Sequence, residues 1–262
     1  MTAPAMARKL ADTSDDTRLE SFVDEVANLI RSQSAGIIGN IALCVPLVLL
    51  VQWIATLAAG APLVDREQGA YVLHSLTLLG PTALFAAFTG VLLFASSLIA
   101  GWAENWFVWN RLDSAIAWHP RTVALLGASR AARWAAWWRR NISGLAGNIS
   151  LGLMLGIVPV VLQFFGLPIE VRHVTLASGQ LAAAAGAIGP EIVREPAFWW
   201  CVAGIAATGA LNLAVSFVLA FRVALRSRGM RRVDRGRIHR AIRARMWRAP
   251  LSFVVPPRGS VA

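Results

Sequence analysis

The chain has almost no lysine: of its 25 basic residues, only Lys9 is not arginine. It has one tyrosine, two cysteines, and only 15% charged residues, against roughly 25% in an average soluble domain. Each shortage excludes something. Cys44 and Cys201 lie far apart, each inside an apolar run. Neither a disulfide framework nor a zinc site can be built from them, and both read as packing residues. The N-terminal stretch MTAPAMARKLADTSDD has no apolar core, so no cleavable signal peptide is expected there. The scarcity of charge is also local. Residues 32–64 and 68–103 hold no Asp, Glu, Lys or Arg at all.

What is present in abundance is apolar surface, 56% of all residues. A helix that crosses the ~30 Å hydrocarbon layer needs about 20 predominantly apolar residues. Four stretches meet that length, at residues 36–57, 81–102, 144–165 and 198–221. Pro46 inside the first implies a kink, which membrane bundles tolerate. Gly80-Pro81 breaks the second uncharged run, leaving a short element at 71–79. The run LASGQLAAAAGAIG (176–189) is a second short element. At the N-terminus, Thr17 and Glu20 form a capping-box pair. Leu19, Phe22, Val23, Val26 and Ile30 then recur at helical spacing, as in a short amphipathic helix lying on the membrane or on another part of the protein. The expected fold is an all-α, polytopic membrane helix bundle of four spans.

The expected domain order is an amphipathic segment (1–35), a membrane unit (36–104), a basic, Trp-rich loop (105–141), a second membrane unit (142–221) and a basic tail (222–262). The middle loop holds six arginines, and seven tryptophans fall between Trp102 and Trp138. Tryptophan prefers the membrane boundary, so RAARWAAWWRR (130–140) is expected to lie in the interface. The tail holds twelve arginines and one acid, Asp234. The other two loops hold only Arg66, and Arg172 with Arg194. Positive loops stay inside, so a multi-pass inner-membrane protein with both termini in the cytoplasm is expected.

The two halves resemble each other. SAGIIGNIAL (34–43) matches ISGLAGNISL (142–151), and HSLTLLG (74–80) matches HVTLASG (173–179). TGVLLFASSLIA (89–100) matches TGALNLAVSFVLA (208–220). Because each unit holds two spans, the repeats are expected to be parallel, related by an axis along the membrane normal. Gly36, Gly39 and Asn40 in one half, and Gly144, Gly147 and Asn148 in the other, are candidate packing residues or intramembrane polar groups. Asn212 joins them. His74 and His173 form a candidate pair at the outer ends, for local anchoring or for a ligand. In the tail, Ile238, Ile242 and Met246 recur every four residues, an amphipathic basic helix. Arg231, Arg232, Arg235, Arg237, Arg240, Arg243, Arg245 and Arg248 around them are candidate contacts to phosphate or lipid.

Several longer stretches carry a family resemblance: LIAGWAENWFVWNRL (98–112), GLAGNISLGLMLG (144–156), FFGLPIEVRHVTLASGQLA (164–182), FWWCVAGIAATGALNLAVSFVLAFRVALRSRG (198–229) and PLSFVVPPR (250–258). Together they resemble the bacterial membrane-protein family of site-specific recombinases, also called gene conversion regulators. The resemblance covers roughly residues 18–258. It implies a role in DNA rearrangement and, since family members usually carry a further helical region upstream, that this chain corresponds to the family's C-terminal portion, with another chain as a candidate source of the upstream region. The residues themselves show no recombinase chemistry. A tyrosine recombinase needs a tyrosine nucleophile inside an Arg/His cluster, and the one tyrosine, Tyr71, is expected on the outer side. Ser129 and Ser227 lie near arginines, but in short segments flanking the membrane. No P-loop, HExxH motif or cleft with paired carboxylates is present, so neither catalytic residues nor a cofactor is expected. Three functions remain open. One is a non-enzymatic membrane component that affects recombination or gene conversion indirectly. The second is half of a small-solute transporter or channel. The third is a scaffold for a cytoplasmic partner. The expected partners are anionic lipid headgroups, nucleic acid or a cytoplasmic protein at the basic face, and a second copy of the chain.

Overall fold

The computed structural model describes residues 16–227, 232–253 and 255. All regular structure among them is helical. In chain order the helices are α1 (Asp16–Ala59), α2 (Arg66–Ser75), α3 (Thr82–Trp109), α4 (Leu112–Trp118), α5 (Pro120–Leu126), α6 (Ala128–Phe164), α7 (Val174–Ile188), α8 (Pro196–Ser227) and α9 (Arg232–Arg248). Short 3-10 turns follow at Pro190–Arg194 and Pro250–Phe253. Helices α1, α3, α6 and α8 are long and apolar enough to cross a membrane. In their most apolar windows only 6%, 33%, 0% and 22% of residues are buried within the protein. In water, leaving that surface exposed would forfeit about 25 cal/mol per Å². Hydrocarbon removes the penalty, and the chain is a membrane protein.

The four spans fall where the apolar runs place them, but the helices are longer. α1 is one rod of 44 residues. The amphipathic N-terminal stretch and the first span are therefore one helix, and Pro46 sits inside it without ending it. The capping pair expected of Thr17 lies outside the described side chains. α6 likewise runs unbroken for 37 residues. The stretch 130–140 is the base of the third span's helix and not a separate interfacial helix, because no proline or glycine separates Arg140 from Ile142. α2 begins at Arg66, five residues before the expected 71, because the Asp65 side chain accepts the Gln68 N–H at 2.8 Å, an N-cap. α7, at 15 residues, reaches about 22 Å, short of a full crossing.

The chain divides into two compact units, residues 1–90 with 172–262, and residues 91–171. In the first, one end of α1 packs against α8, α9 and the Pro250–Phe253 turn through Phe22, Val26, Ala27, Phe221, Ile238 and Phe253. Phe221 stacks on both Phe22 and Phe217. Further along, α7 lies against α1 and α2 through small residues. A Cβ at Gly179 would be 3.2 Å from Cys44 Sγ, one at Gly186 3.0 Å from Gln52 Cγ, and one at Gly69 3.2 Å from Ile188 Cγ1. Leu73, Leu76, Ala177, Leu181, Ile192 and Cys201 form the second buried cluster. Gly204 of α8 packs directly on the turn after α2, where a Cβ would overlap the Leu76 carbonyl oxygen.

In the second unit, α4 and α5 fold back on the first turns of α6. Ala131 and Ala135 are buried there, and small side chains let the helices approach. The Asp113 carboxylate accepts a hydrogen bond from the Arg139 guanidinium. That bond, with help from the Ser114 N–H, holds the Asp113 pKa below its ordinary 3.8.

The matched halves agree locally at one place and differ at another. Thr89 and Thr208 are both buried, and each hydroxyl donates to the carbonyl one turn back, of Phe85 at 2.9 Å and Gly204 at 2.8 Å. The matched histidines do not correspond. His74 sits in the last turn of α2, whereas His173 immediately precedes the first turn of α7. In that register the two short elements are not equivalent, because one match falls on a helix end and the other on a helix start.

Three outcomes are expected. Gly204→Ala pushes a backbone carbonyl aside and lowers stability by about 1–3 kcal/mol, read as a drop in the thermal midpoint in detergent. Gly36→Ala, with nothing within 4 Å of its Cβ, leaves the midpoint unchanged or slightly raised. Because the folded pKa of Asp113 is depressed, its contribution is present above 3.8 and fades as pH falls through the lowered value. Asp113→Asn therefore raises amide exchange in residues 112–126 at neutral pH, and the wild type matches it only in strong acid.

Candidate functional site

Two arrangements stand out, both in the first unit. One is a polar node inside the helices. The other is a basic helix docked at their end.

The node forms where the chain is broken. α2 stops at Ser75, residues 76–81 turn, and α3 starts at Thr82. Residues 167–173 carry no regular structure before α7 starts. Both breaks free backbone groups that need partners. Asn212 of α8 meets two of them, at Arg172 and Val174, and also reaches a carbonyl within α3. Its Nδ2 donates to the carbonyls of Ala86 at 2.9 Å and Arg172 at 3.0 Å, and its Oδ1 accepts the Val174 N–H at 3.3 Å. The Arg172 N–H donates to Thr89 Oγ1 at 2.8 Å. The Arg172 guanidinium donates to the Ser75 carbonyl at 3.1 Å and lies over the Phe85 ring. A cation at the C-terminal carbonyls of α2 also suits the helix dipole. The Thr82 hydroxyl donates to the Thr77 carbonyl at 2.8 Å. Asn212, Thr82, Thr89, Thr208 and Arg172 are all buried.

Sequence reasoning found Asn212 but missed Arg172, which it counted as a loop charge. The histidine match came within one residue of it: Ser75 follows His74, Arg172 precedes His173, and it is these neighbours that touch. His74 itself is exposed and His173 half-buried. The other polar and glycine candidates are not gathered here. Asn40 and Asn148 are both exposed. A Cβ at Gly36, Gly39 or Gly144 would meet nothing within 4 Å, and one at Gly147 would meet only Ala100, at 3.3 Å. Gln52 is buried and donates to the Val64 carbonyl at 2.9 Å.

The second arrangement is α9. Ile238 is fully buried and Ile242 packs beside it, while Met246 is exposed. Polar contacts fix the helix at its far end. Arg245 pairs with Asp24 at 3.2 Å and donates from Nε to Ser252 Oγ at 3.2 Å. Arg31 donates to the Ser252 carbonyl at 2.6 Å. Arg245 thus serves the docking contact, and Arg237 is partly buried. Arg240, Arg243 and Arg248 remain on the exposed side. Arg231 and the side chains of Arg232 and Arg235 lie outside the described residues.

Long apolar helices, discontinuous elements and a basic helical cap define a polytopic helical membrane protein. The chain matches the family described as site-specific recombinase over residues 1–256, and it belongs to that family. No curated protein and no solved structure matches it.

Asn212→Ala strips the partner from two buried backbone groups, the Arg172 carbonyl and the Val174 N–H. At about 1–3 kcal/mol for each unsatisfied group, the thermal midpoint in detergent falls further than for Gly204→Ala. Exposed Asn40→Ala, measured in the same way, changes it little.

Proposed function

We propose that the protein is an inner-membrane component that affects DNA recombination or gene conversion without cutting DNA itself. In this reading both termini and the 105–141 segment are cytoplasmic. The observation that carries it is α9. The helix is folded onto α1 and α8 by Ile238 and the Arg245–Asp24 pair, and turns Arg240, Arg243 and Arg248 outward. A basic surface held next to spanning helices suits anionic headgroups, at about 1 kcal/mol per residue, and can recruit a phosphate-bearing or acidic partner.

The orientation rests on the loop arginines: Arg66, and Arg172 with Arg194, in the two poor loops, against six in the 105–141 segment and twelve in the tail. In that orientation Tyr71, exposed on α2, faces away from the chromosome.

The half-length α7 and the broken α2–α3 pair favour a second reading, half of a small-solute transporter or channel, since discontinuous helices often frame transport sites. Against it, the Asn212 side chain is fully engaged by backbone groups. Solute uptake by reconstituted vesicles separates the two.

The test is gene-conversion frequency in cells that depend on this chain. Arg240→Gln/Arg243→Gln/Arg248→Gln is expected to change it several-fold at normal protein abundance, while Tyr71→Phe leaves it at the wild-type value. A Tyr71→Phe loss equal to deletion of the whole chain would overturn the non-enzymatic reading.

A further inference from the structure

The base of α6 presents an exposed face that the contacts within its unit do not use. Ala131 and Ala135, on the opposite side, are buried against α4 and α5, and Arg139 is taken by Asp113. Arg130, Arg133, Trp134, Trp137 and Arg140 recur at three- and four-residue spacing on the free side, and all five are exposed. Trp134 and Trp137 stack at 5.7 Å with their planes 9° apart. Trp138 meets both edge-on, at 5.9 Å and 5.4 Å. The tryptophans therefore form one fixed block, with Arg133 and Arg140 two turns apart on the same side.

The height of this face follows from the continuity of α6. Residues 142–164 are uncharged and cover about 34 Å, close to the ~30 Å hydrocarbon thickness. Arg140, Trp137, Trp134 and Arg133 are carried on the same helix, at about 3, 8, 12 and 14 Å beyond the end of that segment. That is the depth of lipid headgroups, where tryptophan is favoured. A guanidinium grips phosphate with a planar fork of donors, and no acidic side chain lies among these five residues.

We propose that this face of α6 is a binding site for an anionic phospholipid headgroup, with Arg133 and Arg140 converging on its phosphate from either side of the stacked Trp134–Trp137 pair. The site is distinct from α9 and does not depend on the function proposed above.

The test uses the full chain purified in detergent and titrated with phosphatidylglycerol or phosphatidylcholine, with bound lipid counted by native mass spectrometry. The wild type is expected to retain phosphatidylglycerol preferentially. Arg133→Gln/Arg140→Gln weakens that binding about 30-fold, while Arg133→Lys/Arg140→Lys loses only a few-fold. Arg121→Gln, an exposed arginine on α5 outside this face, keeps the tight lipid. Where the double Gln variant fails to fold, Arg133→Gln alone carries the test, with an expected loss of about fivefold. Equal retention of both lipids by the wild type would overturn the proposal. So would unchanged binding by the Gln variants, or displacement of phosphatidylglycerol by a short DNA duplex.

Discussion

A backbone that breaks where it is buried among helices has no water to fall back on. Every N–H and C=O freed by the break must find a protein partner. This constraint organises the first unit. Two breaks, after α2 and before α7, are stitched to α3 and α8 by Asn212, Arg172 and Thr89. The same side chains that satisfy the backbone also fix where the half-length helix starts. Small residues then let it lie close against its neighbours, with Gly179 and Gly186 facing α1 and Gly204 of α8 facing the turn after α2. A polar residue in a span is here a structural member whose loss strands more than one group at once.

The docked α9 follows a different logic. It is polar almost throughout, and isolated short helices are marginal in water. Tertiary contacts supply what propensity does not: Ile238 enters the aromatic cluster around Phe221, and Arg245 reaches Asp24. The docking leaves a charged side open and sets a basic surface at the end of two spanning helices.

Much of this was legible in the sequence. Uncharged runs of spanning length located all four crossing helices, and the Ile238/Ile242 spacing located the buried stripe of α9. The start of α2 was missed because Asp65 reads as a loop charge until its side chain is seen capping Gln68. The 130–140 stretch looked interfacial by composition, but nothing in it stops a helix, so it merged with the span that follows. Arg172 was invisible for a deeper reason. Whether an arginine is a solvated loop charge or a buried cap depends on carbonyls distant in sequence, here those of α2. The glycines at 36, 39 and 144 show the converse. Their spacing suits close packing, yet within this chain they face outward.

The account rests on α7 lying along α1, inside the helices and not on the membrane surface. The most direct measurement is a disulfide between native Cys44 and an introduced Gly179→Cys, in a Cys201→Ser background, with the full chain in its native membrane. A Cβ at position 179 stands 3.2 Å from Cys44 Sγ, within reach of a bond. The account predicts rapid cross-linking under mild oxidation, read as α1 and α7 fragments that stay joined after proteolysis until reduced. Two thiols that stay separate under oxidation, and both react freely with a water-soluble maleimide, would contradict it.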